Sequence, residues 1–277
     1  MSFHKGGSPA AIATEVTSLF WLADAAGGAA VAEVVNRGQS WLETRRLTHG
    51  TPSSEDAARF GRRLARTHAA GASHWGAPPP GLRETDARLA ELPAPVSRAP
   101  RWNGWGEFYA EARLRPYLRL AEVPREARLV LHRAIDLVAE GRFDAPQPAL
   151  VGDVARIHGD LWAGNVMWAV TPGAEGTTGT LLDPSAHGGH AETDLAELAL
   201  FRAPHLDSII AGYQEVSPLA DGWQHRVSVH QFHMVLVHAA LYSGNYIPQA
   251  LTLARRLRGD AERSRQPVRL GTADLAS

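Results

Sequence analysis

The chain has 277 residues, a hydrophobic fraction of 44% and a charged fraction of 21%, which is ordinary for a globular protein with a sizeable core. Its net charge of −1 offers no general attraction to nucleic acid or to an anionic membrane, and the absence of cysteine excludes disulfides, thiolate metal sites and a thiol nucleophile. No apolar run approaches the roughly 20 residues of a membrane helix and no signal-peptide core follows the first residues, so we expect a soluble, cytoplasmic protein that binds neither nucleic acid nor membrane.

The first residues predict a helix with two unusual charged positions. Ser8-Pro9, followed by apolar residues at helical spacing, predicts a capped helix that ends near Ala25. Glu15 lies on or beside the apolar stripe of that helix, where a carboxylate needs a partner or a cleft. Lys5 is the one lysine among 28 basic residues, so it either survives by chance or occupies a position that arginine cannot fill.

The remaining pattern predicts a mainly helical body that is interrupted by strands. Helices are predicted for residues 54–70, 105–120, 125–140, 192–201, 205–216, 226–243 and 248–258. Short strands are predicted for residues 32–35, 40–43, 154–158, 166–170 and 181–182, with a flexible turn over 172–179 and a frayed tail from about residue 259. Ser54 is expected to cap its helix, and Trp102 and Trp105 to anchor the loop that enters the next one.

The strand-rich interruption carries the chemistry. The stretch from His158 to Asn165, HGDLWAGN, is followed after a hairpin by Asp183. Phosphoryl transfer needs a carboxylate to accept the hydroxyl proton and oxygen ligands to hold magnesium on the phosphates. The spacing from Asp160 to Asn165 matches the protein-kinase pattern H-R-D-x-x-x-x-N. A turn rich in Asp, Gly and Asn without catalytic chemistry is the alternative interpretation.

Three segments together are similar to the fructosamine (ketosamine) 3-kinase family, a branch of the aminoglycoside-phosphotransferase-like kinases. They are HGDLWAGNV, LLDPSAHGGHAETDLA and HQFHMVLVHAALYSGNY, and the resemblance runs from about residue 3 to residue 258. It implies an α+β, protein-kinase-like fold of two lobes. By this resemblance, the small N-terminal lobe, residues 1–50, would be truncated, and the large and mainly helical C-terminal lobe, residues 51–277, would be catalytic and bind substrate.

The resemblance also implies a role for each polar position. Asp160 would be the catalytic residue that accepts or orients the hydroxyl, and Asn165 and Asp183 would bind Mg²⁺. Lys5 would contact the α- and β-phosphates of ATP, and Glu15 would orient Lys5 through an ion pair. This assignment would explain both unusual charged positions of the first helix region.

The implied substrate is a ketosamine, either a small molecule or a glycated protein, phosphorylated at its 3-hydroxyl. In that family the 3-phosphate is unstable and the sugar is lost, so the implied physiological role is deglycation. Trp162 is a candidate to stack on the sugar or on its amine, with a core position as the alternative. The alternative functions are an aminoglycoside or other amino-alcohol kinase, and a nucleotide-binding pseudokinase without catalysis.

The sequence departs from the family in its N-terminal region. The lysine strand of the family follows two strands joined by a glycine-rich loop over the phosphates, and Gly6-Gly7 comes after Lys5 instead. Either this branch of the family dispenses with the loop, or the start codon is misassigned, or a partner chain supplies the cover. If the cover is lost, we expect weak ATP affinity rather than inactivity. The segment 43–46, which would face adenine, is more charged than usual.

Several further polar residues are expected to be structural. His187 and His190 have an H-x-x-H spacing, but no third ligand lies near in sequence, so loop hydrogen bonding is expected. Asp194 is expected to brace the segment after Asp183. A set of three histidines on one helix is expected to line the core or the cleft: His230, His233 and His238.

Overall fold

The computed structural model describes residues 1–170, 173, 175–242 and 246–263, and its first layer is a small sheet backed by one helix. Strand β1 (Ser2–Gly6) precedes helix α1 (Pro9–Ala23). Three short strands follow: β2 (Ala30–Val31), β3 (Val34–Arg37) and β4 (Trp41–Arg45). Strands β1, β4 and β3 form an antiparallel sheet in that order. The predicted helix is confirmed, with Ser8 as its N-cap and proline at its first position.

A second sheet joins the two halves of the chain. Strand β5 (Thr48–His49) pairs with a strand from the middle of the chain, β9 (Val166–Val170). Between residues 50 and 177 lie β6 (Arg88–Leu89), β7 (Leu92–Pro93) and β8 (Ala155–Ile157). Strand β10 (Thr177–Leu181) completes the sheet in the order β2-β10-β9-β5. Residues on both sides of position 50 therefore share this sheet, and the division of the chain into lobes at that position remains a prediction.

The remaining described residues form a helical body around a large apolar core. Its helices before the strands are α2 (Ser54–Ala69), α3 (Trp105–Phe108), α4 (Arg115–Leu120) and α5 (Arg125–Ala139). Strand β11 (His187–Gly189), which pairs with β8, precedes α6 (Ala191–Leu200), α7 (Leu206–Val216), α8 (Trp223–Leu241) and α9 (Tyr246–Arg263). No helix in the described part of the chain is both long enough and apolar enough to span a membrane.

Helices α2 and α7 cross with their backbones in contact. A Cβ atom on Gly61 would overlap the carbonyl oxygen of Ile209, and one on Gly212 would overlap that of Ala58. Both glycines lie within helices and have ordinary helical backbone angles. Glycine is needed there because it has no side chain, which lets the two helices approach closely. The crossing holds α2 against the core beneath β9 and β10.

The structure corrects several predicted boundaries. The helix predicted for 105–120 contains a π-helical segment, Tyr109–Leu114, because Pro116 has no N–H to continue the regular hydrogen-bond ladder. Ser53 caps α2 in place of Ser54, since it forms a reciprocal capping box with Asp56.

Two predicted irregular segments also differ from the structure. The turn predicted over 172–179 ends earlier, because β10 begins at residue 177, and residues 171, 172 and 174 lie outside the described residues. The tail predicted from residue 259 is helical as far as Arg263, and residues 264–277 lie outside the described residues. Residue 243, the predicted end of a helix, also lies outside them.

Candidate active site

The loop from His158 to Asn165 connects β8 to β9, and its backbone N–H groups donate hydrogen bonds to buried side chains. Asp194, on α6, accepts hydrogen bonds from the backbone N–H groups of His158 (2.7 Å) and Gly159 (3.0 Å). The N–H of Asp160 donates to Nδ1 of the His158 ring (3.2 Å), and the other ring nitrogen donates to the carbonyl of Leu182 (2.8 Å). Burial lowers the pKa of His158, so the ring stays neutral and suits both contacts.

Gly159 makes the turn of this loop possible. Its φ of +78° lies in the left-handed region, and a Cβ there would overlap the carbonyl oxygen of Ser185. The backbone N–H of Ser185 in turn donates to the carbonyl of His158 (3.0 Å). The loop is therefore joined to the segment that follows Asp183.

Asp160 lies at the surface of the cleft and is only partly exposed. Burial, with a smaller contribution from the nearby carboxylate of Asp183, raises the pKa of Asp160 to about 8. The side-chain amide of Asn165 opposes this rise, because it donates to Oδ2 of Asp160 (3.1 Å) as well as to its backbone carbonyl (2.8 Å). A carboxyl group with a pKa near neutrality suits proton acceptance from a hydroxyl group.

Asp183 follows the end of β10 with a φ of +52°, an uncommon conformation for a residue with a side chain. The N–H of the preceding Leu182 donates to the carbonyl of Asn165 (3.0 Å), so the two residues predicted to bind metal are joined through one hydrogen bond. The side chain of Asp183 is half exposed. Strain of this kind is common at functional sites.

Lys5 connects the small sheet to this cleft. Its Nζ lies 2.8 Å from Oε2 of Glu15 and 2.9 Å from Oδ1 of Asp183. Burial alone would lower the pKa of Lys5, but the two carboxylates outweigh it and raise that pKa. Burial and the carboxylate of Asp183 raise the pKa of Glu15, against the opposing effect of Lys5. The structure thus brings the predicted pair together.

The side chains of Asn165 and Asp183 fit a hard divalent cation. Asn165 uses its amide nitrogen for the contacts to Asp160, and its Oδ1 accepts no hydrogen bond among the described residues. Asp183 presents a half-exposed carboxylate. Magnesium prefers carboxylate and carbonyl oxygens together with phosphate and water.

Two adjoining cavities share Lys5, Glu15 and Asp183. One, of about 470 Å³, is walled by the apolar side chains of Met167 and Leu182 and by residues 44–47, which include three of the four predicted to face adenine. The other, of about 370 Å³, opens beside Asp160, and Arg88 and Glu91 form part of its wall. The arrangement provides space for a nucleotide on one side and for an acceptor on the other.

Trp162 lines the cavity beside Asp160 and is not a core residue, since 39% of its surface is exposed. Its ring lies over Gly164, where a Cβ would overlap it, and its edge packs against Phe201 at a centroid distance of 5.7 Å. The core alternative for Trp162 is therefore wrong, and a role in substrate binding stays a prediction.

The histidines predicted to be structural make hydrogen bonds within the body. His187 Nδ1 bonds to the carbonyl of Ser185, and both ring nitrogens of His190 have backbone partners. His190 lies near Glu192 and His230 in a buried group whose ligand atoms could surround a metal. However, the guanidinium of Arg226 contacts both oxygens of Glu192, which leaves that carboxylate engaged.

The other residues that were predicted to be structural are packed in the body as expected, except that Asp194 contacts a different segment from the one predicted. His230 and His233 are buried on α8, and His238 packs against Phe201. Trp102 and Trp105 are buried at the entrance to α3. The expectation for Asp194 is corrected: its carboxylate accepts from the N–H groups of His158 and Gly159, so it braces the catalytic loop and not the segment after Asp183.

Sequence reasoning missed three residues at the site. Glu197 accepts a hydrogen bond from the N–H of Leu161 (2.7 Å), and its position three residues after Asp194 on the same helix is the signal that could have indicated it. Arg88 and Glu91 come from an irregular segment with no periodic pattern, so nothing in the sequence indicated them.

The chain was compared with protein families and curated proteins. A model of the fructosamine kinase family matches residues 9–258. A protein from Synechocystis sp., designated a probable ketoamine kinase, is 32% identical over 229 residues, which cover 79% of this chain and 68% of that protein. For the first three curated relatives, the alignments span 61% to 68% of the relative's length. Lys5 lies outside the family match, and its place in the site depends on geometry alone.

Two solved structures have the same fold. One from Thermobifida fusca, assigned as a fructosamine-3-kinase, gives a TM-score of 0.75 at 36% identity and covers 89% of this chain and 79% of that chain. One from Haemophilus somnus with the same assignment gives 0.69 at 17% identity, with coverages of 92% and 82%, and shows the fold alone. The predicted α+β, protein-kinase-like fold is confirmed.

Proposed function

The chain belongs to the fructosamine kinase family, as its motifs indicate, and we propose that it transfers the γ-phosphoryl group of ATP to the 3-hydroxyl of a ketosamine. One observation carries the proposal: Lys5, Glu15 and Asp183 form one ion-paired group between two cavities, with Asp160 and Asn165 on the acceptor side. These are the groups that phosphoryl transfer requires.

We assign the proton acceptor to Asp160. The acceptor hydroxyl lies within reach of its carboxylate, the new oxygen–phosphorus bond forms as the bond to the β-phosphate oxygen breaks, and ADP leaves. The hydroxyl proton passes to the ionised form of Asp160, and the pKa of about 8 makes that carboxylate a stronger base than an ordinary aspartate. Asn165 holds that carboxylate in place through its side-chain amide.

We assign phosphate binding to Lys5, with Glu15 fixing the direction of its ammonium group. Asn165 and Asp183 would hold Mg²⁺, which supplies positive charge to the phosphates when it is bound. If Asp183 held the metal, Lys5 would keep its ion pair with Glu15 and would be available to bind phosphate.

We assign one wall of the acceptor cavity to Trp162. Its position over Gly164 and against Phe201 fixes the ring before substrate arrives, which favours stacking on a sugar face. The amine part of the ketosamine, free or on a glycated protein, extends from this cavity. Loss of the phosphorylated sugar would then reverse glycation, and the ATP supply of the cytoplasm makes that compartment the proposed location.

The decisive experiment is an ADP-release assay against a panel of ketosamines, aminoglycosides and amino alcohols, with Asp160→Asn as the inactive control. We expect turnover on ketosamines, with the phosphate located at oxygen 3 by phosphorus NMR. Turnover on aminoglycosides or amino alcohols alone would favour that rival function. Binding of magnesium–ATP without turnover on any acceptor would favour the pseudokinase.

A further inference from the structure

The catalytic loop has an unusual backbone arrangement between His158 and Leu161. All four consecutive N–H groups donate to buried side-chain acceptors and none to another backbone group. Asp194 takes the first two, the His158 ring takes the third, and Glu197 takes the fourth. The three acceptor side chains therefore hold the loop at four consecutive residues. Glu197 holds the residue that directly follows Asp160.

Glu197 is fully buried and makes this contact with one oxygen only. Its Oε2 accepts from the N–H of Leu161 at 2.7 Å. Its Oε1 has no hydrogen-bond partner among the described residues, and it lies 3.5 Å from Nδ1 of His233. Burial and the nearby carboxylates of Asp194 and Asp160 raise the pKa of Glu197 well above its usual value.

The neighbouring Asp194 differs from Glu197 in this respect. Burial alone would raise the pKa of Asp194, but its contacts with His68 and with the backbone N–H of His158 outweigh that effect and lower it. The loop is therefore held by two carboxyl groups whose pKa values shift in opposite directions, three residues apart on the same helix. A carboxyl oxygen accepts a hydrogen bond whether or not the group is ionised, so the N–H of Leu161 requires an acceptor oxygen at the right distance.

We propose that Glu197 is a positioning residue that sets the direction of the Asp160 carboxylate by holding the N–H of the next residue. The inference rests on the proposed function of Asp160. Without this contact, the peptide between Asp160 and Leu161 is held only at its carbonyl, which accepts from the side chain of Asn165 and from the N–H of Trp162. The N–H end of the peptide can then shift, and the Asp160 side chain has a single described hydrogen bond, from Asn165, to resist that shift. Small displacements of a reacting group are costly for catalysis, since about 1 Å can reduce the rate about a hundredfold.

Two substitutions at residue 197 distinguish the effect of side-chain length from the effect of side-chain charge. Glu197→Gln keeps an acceptor oxygen at the same distance and carries no charge, so we expect its kcat to stay within about twofold of wild type. Glu197→Asp keeps a carboxyl group but is one methylene shorter, so we expect kcat to fall at least about tenfold. The KM for ATP should stay unchanged in both, because Leu161 does not line the nucleotide cavity.

Glu192→Asp is the matched control. Glu192 is buried on the same helix and pairs with Arg226 on α8, but it contacts no residue of the catalytic loop. The same shortening there should lower stability and leave kcat unchanged. Wild-type kcat in Glu197→Asp, an equal loss in Glu197→Gln, or an equal loss in the control would each overturn the proposal.

Amide hydrogen exchange at Leu161 gives a test that does not depend on any substrate. We expect slow exchange in the wild type and in Glu197→Gln, and faster exchange in Glu197→Asp; equal exchange in all three would overturn the proposal. If the wild-type protein has no turnover on ketosamines, the proposed function is wrong. Hydrogen exchange at the Leu161 amide still shows in that case whether Glu197 holds the loop. Glu197→Met, which has a similar volume and no acceptor, replaces Glu197→Asp if that variant does not fold.

Discussion

Lys5 shows how one side chain can connect two separate parts of the site. Its ammonium lies between Glu15 and Asp183, which come from α1 and from the end of β10. A compact ammonium can contact both carboxylates from one point, whereas the planar guanidinium of arginine directs its donors in a fixed fork. The geometry therefore favours the second explanation of the lone lysine, in which arginine cannot fill the position.

Lys5→Arg should fold normally and lose activity. A charge-conserving change on an ordinary surface alters stability by no more than about 0.5 kcal/mol. At this position we expect kcat/KM for ATP to fall at least tenfold, about 1.4 kcal/mol of transition-state stabilisation. Glu15→Ala should lose a similar amount, and the double variant much less than the sum, because both act through one ion pair. Full activity of Lys5→Arg would remove Lys5 from the nucleotide site.

Asp160→Asn should gain stability as it loses turnover. The pKa of Asp160 is about 8 in the folded protein, against about 3.9 for aspartate in an unfolded chain. Ionisation of Asp160 therefore costs folding free energy, increasingly so between about pH 4 and pH 8, and the cost is complete above pH 8. Asparagine avoids it.

We expect Asp160→Asn to be more stable than wild type by about 1 kcal/mol at pH 8.5 and equally stable at pH 4, because partial exposure of the carboxyl reduces the full effect. Urea unfolding at both pH values checks this. Turnover should fall by about 10²–10⁴. A variant of lower stability at pH 8.5 would contradict the raised pKa, and unchanged turnover would remove Asp160 from the mechanism.

At the scale of elements, sequence patterns predicted those parts of the fold whose signals are local. The strand β9 was predicted with both boundaries correct, and α1 with its cap, because a short apolar run and a helix cap are local signals. The two-residue strands β2 and β5 were not predicted, since two residues have no period, and each exists only through pairing with a distant strand.

The same distinction applies to the candidate site. Asp160 and Asn165 lie five residues apart, so their spacing was sufficient to indicate them. Arg88, Glu91 and Glu197 enter the site through tertiary packing, which the sequence does not display. The same holds for the glycines of the α2–α7 crossing. The local pattern places Gly61 in a helix, but it does not show that a second helix crosses there.

Gly61→Ala should therefore be strongly destabilising. The added methyl group has no space beside the carbonyl oxygen of Ile209, so the two helices must separate. We expect a loss of about 3 kcal/mol or more in the free energy of unfolding, measured with urea. Gly152→Ala is the matched control, because no atom lies within 4 Å of a Cβ there, and it should stay within about 0.5 kcal/mol. Similar losses in both would contradict the close crossing.

At the scale of the whole molecule, α1 is attached to the helical body along its length. Ser8, at its start, donates to Glu91, and Ser18, near its middle, accepts from the N–H of Ala186. Near its end, the guanidinium of Arg156 donates to the carbonyl of Trp21 and lies over the Trp21 ring. The helix that carries Glu15 is therefore fixed to the same body that carries the catalytic loop.

Lys5 is the single lysine of the chain and is held between two carboxylates, which affects how readily sugars can modify this protein. An amine must be unprotonated to attack the carbonyl carbon of a reducing sugar. The single lysine ammonium of this chain is ion-paired with two carboxylates that raise its pKa. A protein proposed to act on sugar–amine adducts thus offers almost no lysine of its own for sugar to modify. After incubation with ribose at pH 7.4, peptide mass mapping should find little adduct at Lys5 and clear adduct at residue 133 of an Arg133→Lys variant, whose new amine is on the exposed face of α5. Equal modification at both positions would show that the ion pairs do not protect Lys5.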